Sequence, residues 1–244
     1  MMLPWILAGA ATGLAAGPRI RAAVFSRSTE PGEPPRAACP SCDREIVPAR
    51  RRWRSVLPVT GRCPACRERI GPYPLAVELA AAVALSVLAA RSTLAWEAGA
   101  LAWLALAAVP LAFIDLAVRR LPDPLTAAAF AGTAVLLAVA ALTSGEAGIL
   151  GRAGAAAAAM AGLYLVITLA WPGGMGLGDV KLAASVGGAL GWMGWRPLGD
   201  GAFLAFLLAA AWIGVLRVTR GADHARTIPM GPFILLGALA AIAA

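Results

Sequence analysis

Apolar segments close to the length of a membrane span follow one another along almost the whole chain. Eight can be drawn, at residues 2–17, 74–90, 94–114, 125–143, 153–171, 182–198, 201–217 and 228–244. A hydrocarbon core takes about 20 helical residues to cross. Inside it the backbone must satisfy its own hydrogen bonds, so each run is expected to be helical. Of the 244 residues 60% are hydrophobic and 14% charged, and mean hydropathy is +0.76. A soluble fold of this size has too little interior for that much apolar surface. The expected fold class is therefore an all-α polytopic membrane protein with about eight transmembrane helices. Its expected parts are a first transmembrane helix at 1–17, a hydrophilic insert at 18–73 and a seven-helix membrane domain at 74–244.

Charge placement orients the segments. Twelve of the 21 Lys and Arg residues lie between Arg19 and Arg69. With the N-terminus outside, these join Arg119, Arg120, Lys181, Arg217, Arg220 and Arg226 to put 18 basic residues on the inner side, and Arg91, Arg152 and Arg196 stay outside. That asymmetry is the positive-inside pattern. No basic residue precedes the apolar run from Trp5 to Ala16, so a retained span is expected there rather than a cleaved signal. Trp192 and Trp195 are expected as interfacial anchors at the outer end of the sixth segment. The basic block carries no interleaved aromatics and no nucleic-acid motif. Its expected partner is the anionic cytoplasmic leaflet of the lipid bilayer, and no nucleic acid.

All four cysteines fall in the insert, as Cys39-Pro40-Ser41-Cys42 and Cys63-Pro64-Ala65-Cys66. A Cys-x2-Cys knuckle aims two thiolates at one point, and two knuckles complete a tetrahedral zinc site. Four thiolates leave no open coordination position, so the zinc is expected to be structural. Arg44, Arg62 and Arg67 are expected to favour the thiolate form. The alternative is a pair of disulfides, which a reducing cytoplasm disfavours.

Two acids stand at the inner ends of their segments. Asp115 closes the third segment, in Phe113-Ile114-Asp115-Leu116. Asp179 lies between the fifth and sixth, in Gly176-Leu177-Gly178-Asp179-Val180-Lys181. Two carboxylates meeting at one depth share a proton, because both ionise together only at a cost. The ionised one can then take a proton from water while the other polarises a peptide carbonyl. Gly176 and Gly178 give a substrate strand room to approach, and Lys181 is placed to tune the charge of the pair. The plainer alternatives are a helix-capping Asp179 and a solvated Asp115 partnered by Arg119, four residues on.

Taken together these stretches resemble the type IV prepilin peptidase family, leader peptidases of the GxGD class of intramembrane aspartyl proteases. Gly176-Leu177-Gly178-Asp179-Val180-Lys181-Leu182 is similar to the second aspartate motif of the family. Asp115-Leu116, followed by Leu121-Pro122-Asp123, is similar to the first. The knuckles followed by Gly71-Pro72-Tyr73-Pro74-Leu75 and Glu78 resemble the cytoplasmic insert and the entry to the second span. Ile228-Pro229-Met230-Gly231-Pro232-Phe233 resembles the last span. The resemblance implies a bacterial-type inner membrane protein with its site at the cytoplasmic face and Asp115 and Asp179 as the catalytic pair. It implies prepilin or pseudopilin substrates of pilus and type II secretion systems, cut after a short basic leader that Glu78 and Asp123 are placed to hold. Many members also methylate the new N-terminus with S-adenosylmethionine. Departures at Ala15-Ala16-Gly17-Pro18-Arg19-Ile20-Arg21 and at Pro48-Ala49-Arg50-Arg51-Arg52-Trp53-Arg54 fall in the part tied to that second activity. A transporter or assembly scaffold is the rival of another class. It calls for polar groups near mid-span, whereas these acids gather at one face.

Overall fold

The computed structural model describes residues 3–30, 32–48, 55–91, 95–171, 174–220 and 228–244. The departure at residues 49–54 and the basic residue Arg226 lie outside the described residues. A helix forms in each of the eight apolar segments: α1 Leu3–Arg27, α2 Ala76–Arg91, α3 Ala95–Val118, α4 Asp123–Ser144, α5 Ala147–Ala170, α6 Leu177–Met193, α7 Trp195–Arg220 and α8 Gly231–Ala243. Four of them, α3, α4, α5 and α7, are long and apolar enough to cross a membrane by length and composition alone. The protein is a multi-pass membrane protein. α2, α6 and α8 are shorter, at 16, 17 and 13 residues, or roughly 20–26 Å at the helical rise.

Sequence neighbours pack in pairs, α1 on α2, α3 on α4, α5 on α6 and α7 on α8. The pairs close around α3 and α6. α3 touches α1, α2, α4, α6 and α8, and α6 touches α3, α4, α5, α7 and α8. Leu101, Leu111, Leu182, Leu190 and Ile234 are buried in the shared core. Apolar side chains gain little from each other in lipid, so close approach of small residues has to hold the pairs. Gly13 of α1 lies so near α2 that a Cβ there would strike the backbone of Ala82, and a Cβ on Gly191 of α6 would strike Ala156 of α5.

One of the sequence expectations changes at the end of α6. Trp192 is 6% exposed and packs with Ala100, Leu137 and Ala153, so it is a core residue and not an interfacial anchor. Trp195 stays exposed. Arg152, counted as an outside charge, caps the end of α6. Its Nε donates to the Gly191 carbonyl at 2.8 Å and an Nη to the Trp192 carbonyl at 2.7 Å. A cation at the carbonyl end of a helix satisfies orphan acceptors and offsets the helix dipole.

At the other end α1 outruns the expected span and continues to Arg27. The extension supplies Ala22 and Phe25 to the small core of the insert, where they pack with Val47, Leu57 and Ile70. The insert grips the helix in return, through Leu57 N–H to the Pro18 carbonyl at 2.9 Å and Arg36 N–H to the Ser26 carbonyl at 2.8 Å. Between them lies Arg21. Its guanidinium meets both oxygens of Glu78 on α2, at 2.7 Å each, and donates to the carbonyls of Pro72 and Tyr73 at 2.9 and 2.8 Å. Arg21 and Glu78 are 1% and 2% exposed.

A buried pair of this kind is costly to break, because removing one partner strands the other charge. We expect Arg21→Met to cost about 3–5 kcal/mol and to lower the thermal midpoint of the detergent-solubilised protein, followed by circular dichroism. Arg21→Met combined with Glu78→Met should recover much of the loss, since no charge remains unpaired. A single variant as stable as the parent would contradict the pairing.

Candidate active site

Asp115 sits one turn before the end of α3 and is 4% exposed. Its Oδ2 accepts the backbone N–H of Gly231, the first residue of α8, at 2.9 Å. The start of a helix has N–H groups without partners in their own helix and carries a partial positive charge. A carboxylate placed there satisfies the helix and is itself held. The fit is close, because a Cβ on Gly231 would lie 2.9 Å from Asp115 Oδ2. Asp115 is thus a buried group bound to a distant helix rather than a solvated helix end partnered by Arg119.

Asp179 lies in the first turn of α6 and is 8% exposed. Its Oδ2 accepts the Gly176 N–H at 3.0 Å, the reach-back half of a helix capping box. The capping alternative therefore accounts for one of its oxygens. The other, Oδ1, is buried and has no hydrogen-bond partner among the described residues. An ordinary surface cap would give that oxygen to water, and buried polar atoms are normally paired.

The two acids belong to one place. Each carboxylate lies within range of the other's charge. Leu121, just beyond α3, wedges between their supports. A Cβ on Gly178 would lie 2.8 Å from the Leu121 Cβ, and one on Gly231 would lie 3.4 Å from the Leu121 Cδ2. The end of α3, the start of α6 and the start of α8 therefore converge at the same end of the bundle. Gly176 holds a carboxylate through its N–H, while Gly178 makes room for Leu121.

The other expected site residues are placed differently. Lys181 pairs with Asp123 at 2.6 Å, both side chains being largely exposed, so each neutralises the other and fastens α6 to the start of α4. Glu78 is consumed by Arg21 and has no oxygen left to hold a basic leader. The sequence reading missed Gly231 as the partner of Asp115. Its signal was the Gly-Pro opening of the last segment, a helix-start pattern. It also missed Tyr164 of α5, fully buried, stacked on Phe206 at 5.3 Å and within range of the Asp179 charge. The Tyr164 hydroxyl has no hydrogen-bond partner among the described residues. One of two tyrosines in the chain, set in an alanine-rich helix, was the available signal.

The cysteines form a second cluster, in the insert. The knuckles repeat one backbone pattern. Cys39 N–H bonds to the Arg44 carbonyl and Cys63 N–H to the Glu68 carbonyl, while Asp43 and Arg67 donate back to the carbonyls of Cys39 and Cys63. Asp43 and Arg67 both take left-handed φ, 52° and 60°. All four Sγ atoms lie within 4.8 Å of one another, with Cys39–Cys66 at 3.7 Å and Cys42–Cys63 at 3.8 Å. Four sulfurs at about 2.3 Å from a tetrahedral ion are about 3.8 Å apart, so the donor set fits a metal ion with no position left open. The N–H groups of Cys66 and Ala65 hold the Cys63 thiol down at about 6. Backbone donors thus do at Cys63 what the sequence reading had assigned to neighbouring arginines.

The sequence profile of the type IV leader peptidase family matches residues 99–218, a stretch containing both aspartates. A prepilin leader peptidase/N-methyltransferase of Aeromonas salmonicida (strain A449) is 32% identical over 211 residues, covering 83% of this chain and 69% of that protein. Proteins of the same name are 35% identical in Aeromonas hydrophila, again over 83% and 69%, and 27% identical in Bacillus subtilis (strain 168), over 85% and 81%. No solved structure matches. With relatives at this identity over most of its length, and with both aspartates inside the matched stretch, the chain belongs to the type IV leader peptidase family.

Proposed function

We propose that the protein is an intramembrane aspartyl endopeptidase that removes the leader of prepilin or pseudopilin substrates, with Asp115 and Asp179 as the catalytic pair. The observation that carries this reading is the burial of both carboxylates at one end of the bundle, within range of each other's charge and each held by one backbone N–H. The orientation proposed puts the N-terminus outside and the insert and site at the cytoplasmic face of a bacterial inner membrane.

The chemistry needs no covalent intermediate. The pair holds one proton between its carboxyl groups. The ionised carboxylate, for which the unpartnered Asp179 Oδ1 is the available oxygen, takes a proton from water as that water adds to the scissile carbonyl carbon. The protonated carboxyl hydrogen-bonds the carbonyl oxygen. On collapse of the tetrahedral species a proton passes to the leaving nitrogen, and the C–N bond breaks. A cut in extended chain ahead of an apolar helix suits a site at the membrane border, since peptide bonds within a helix are protected by their own hydrogen bonds.

For the cysteine cluster we propose structural zinc. The name that the relatives share, leader peptidase/N-methyltransferase, favours a second reading in which the new N-terminus is also methylated, with S-adenosylmethionine supplying the methyl group. One cavity with charged side chains is walled by the insert, by helix ends and by Tyr73, and by neither aspartate. None of its lining residues is acidic, so it offers no carboxylate to the ribose or ammonium group of that donor and does not fit it.

Asp115→Asn and Asp179→Asn should each reduce leader cleavage by roughly a thousandfold or more, with the protein still in the membrane fraction. The assay is co-expression with a prepilin, read by gel shift and by mass spectrometry of the product, where an added methyl group reports the second activity. Full cleavage by either variant would remove that aspartate from the mechanism.

Gly231→Ala places a Cβ against Asp115 Oδ2 while leaving both catalytic side chains chemically intact. It should cut turnover while leaving the thermal midpoint near that of the parent. Unchanged turnover would show that the α8 contact does not position the acid.

The purified protein should contain one equivalent of zinc by elemental analysis. Cys39→Ser with Cys63→Ser should lose it and lower the yield, because metal binding supplies folding energy to so small an insert. Zinc retained by that double variant would refute the assignment.

A further inference from the structure

Two hollows lie next to each other along the outside of α3. The first is an apolar groove of about 240 Å³ between α2, α3 and α8, lined entirely by apolar side chains. The second is a cavity of about 580 Å³ between the insert and the end of α3, with Arg36 and Arg69 among its lining residues. Phe113 and Leu116 border both. α2 borders both as well. Ala76 faces the cavity, and Ala80, Ala84 and Leu88 follow along the same helix face into the groove. Along α3 the groove runs from Leu116 to Leu101, roughly 22 Å at the helical rise.

The charged end has an unusual balance. Arg69 lies 4.2 Å from the Tyr73 ring and Arg36 lies 5.6 Å from the Phe25 ring. Both guanidiniums are thus placed by aromatic faces, which leave their N–H groups free to bind. Neither takes part in the ion pairs formed among the described residues. The hollow is therefore apolar along most of its length and doubly cationic where it meets the insert. A basic peptide leader is repelled by that end. A molecule with long hydrocarbon at one end and a phosphate at the other matches both.

We propose that the adjoining groove and cavity together bind one anionic phospholipid, its phosphate at Arg36 and Arg69 and an acyl chain passing Phe113 and Leu116 to lie along α3 between α2 and α8. Guanidinium groups are well suited to phosphate oxygens, and anionic lipids are drawn to basic segments at the membrane surface. The bound lipid would bridge the insert to three helices of the bundle. The site does not border Asp115 or Asp179, so its occupancy can be tested whatever the fate of the catalytic reading.

The test is native mass spectrometry of the full chain in detergent, titrated with phosphatidylglycerol or phosphatidylcholine of the same chain length. One phosphatidylglycerol should be retained per protein, with about a tenfold preference over phosphatidylcholine. Arg36→Gln with Arg69→Gln should abolish the preference, and Ala108→Phe should reduce retention of both lipids. Equal retention of the two lipids by the parent protein would overturn the proposal without reference to any variant. So would a preference unchanged in the arginine double variant. Displacement by excess glycerol phosphate would reassign the cavity to a soluble phosphate. Competitive displacement by an apolar helical peptide with a basic leader would reassign the groove to substrate.

Discussion

A carboxylate placed among apolar helices depends on donors in the protein, because lipid offers none. Here the donors are supplied by helix starts. Gly231 opens α8 and binds Asp115, and Gly176 precedes α6 and binds Asp179. The same contact solves two problems, since the first N–H groups of a helix are as much in need of acceptors as the acids are of donors. The geometry of the site follows. A helix start lies at an end of the bundle, so acids held by helix starts lie there too. The depth of the pair is fixed by the ends of α3, α6 and α8 and not by any property of the carboxyl groups themselves.

The second fixed point is Arg21. Its four hydrogen bonds join α1, α2 and the strand of chain leaving the insert. The extension of α1 past the expected span makes this possible, because it carries one helix from the bundle into the core of the insert. The cysteine cluster is therefore not a loosely tethered module. Cys39 and Cys63 are buried in the core that also holds Phe25 of α1. A metal there would stiffen the support of α1, and through Arg21 and Glu78 the support of α2.

Much of this was readable in the sequence, and for identifiable reasons. Spans in lipid are local: a run of apolar residues is sufficient evidence for a helix, so all eight positions could be drawn. The Cys-x2-Cys spacing is local too, since one knuckle is a single turn of chain. What escaped the reading depends on contacts between distant segments. Nothing near Glu78 in the chain announces that Arg21, on another helix, will occupy both its oxygens. Nothing around Trp192 separates a buried tryptophan from an interfacial one, because both follow apolar residues. The tie between Asp115 and Gly231 joins positions far apart, and the Gly-Pro signal for a helix start gives no hint of which acid it will receive. The aspartates themselves stood out because the chain has few acids and these two end at matching boundaries.

Substrate positioning looks different once the neighbouring acids are accounted for. Glu78 and Asp123 were the groups expected to hold a basic leader, yet one is paired inside the protein and the other is paired with Lys181. Arg36 and Arg69 face the cavity beside α3, and the chain as a whole carries a net charge of +8. A positively charged leader therefore gains little from fixed partners on this face. The selection that remains is one of depth. An apolar helix is held in the bilayer by its own length, which in the proposed orientation places the chain just before it at the same border as Asp115 and Asp179. On this argument the membrane, more than any ion pair, sets the register of the bond to be cut.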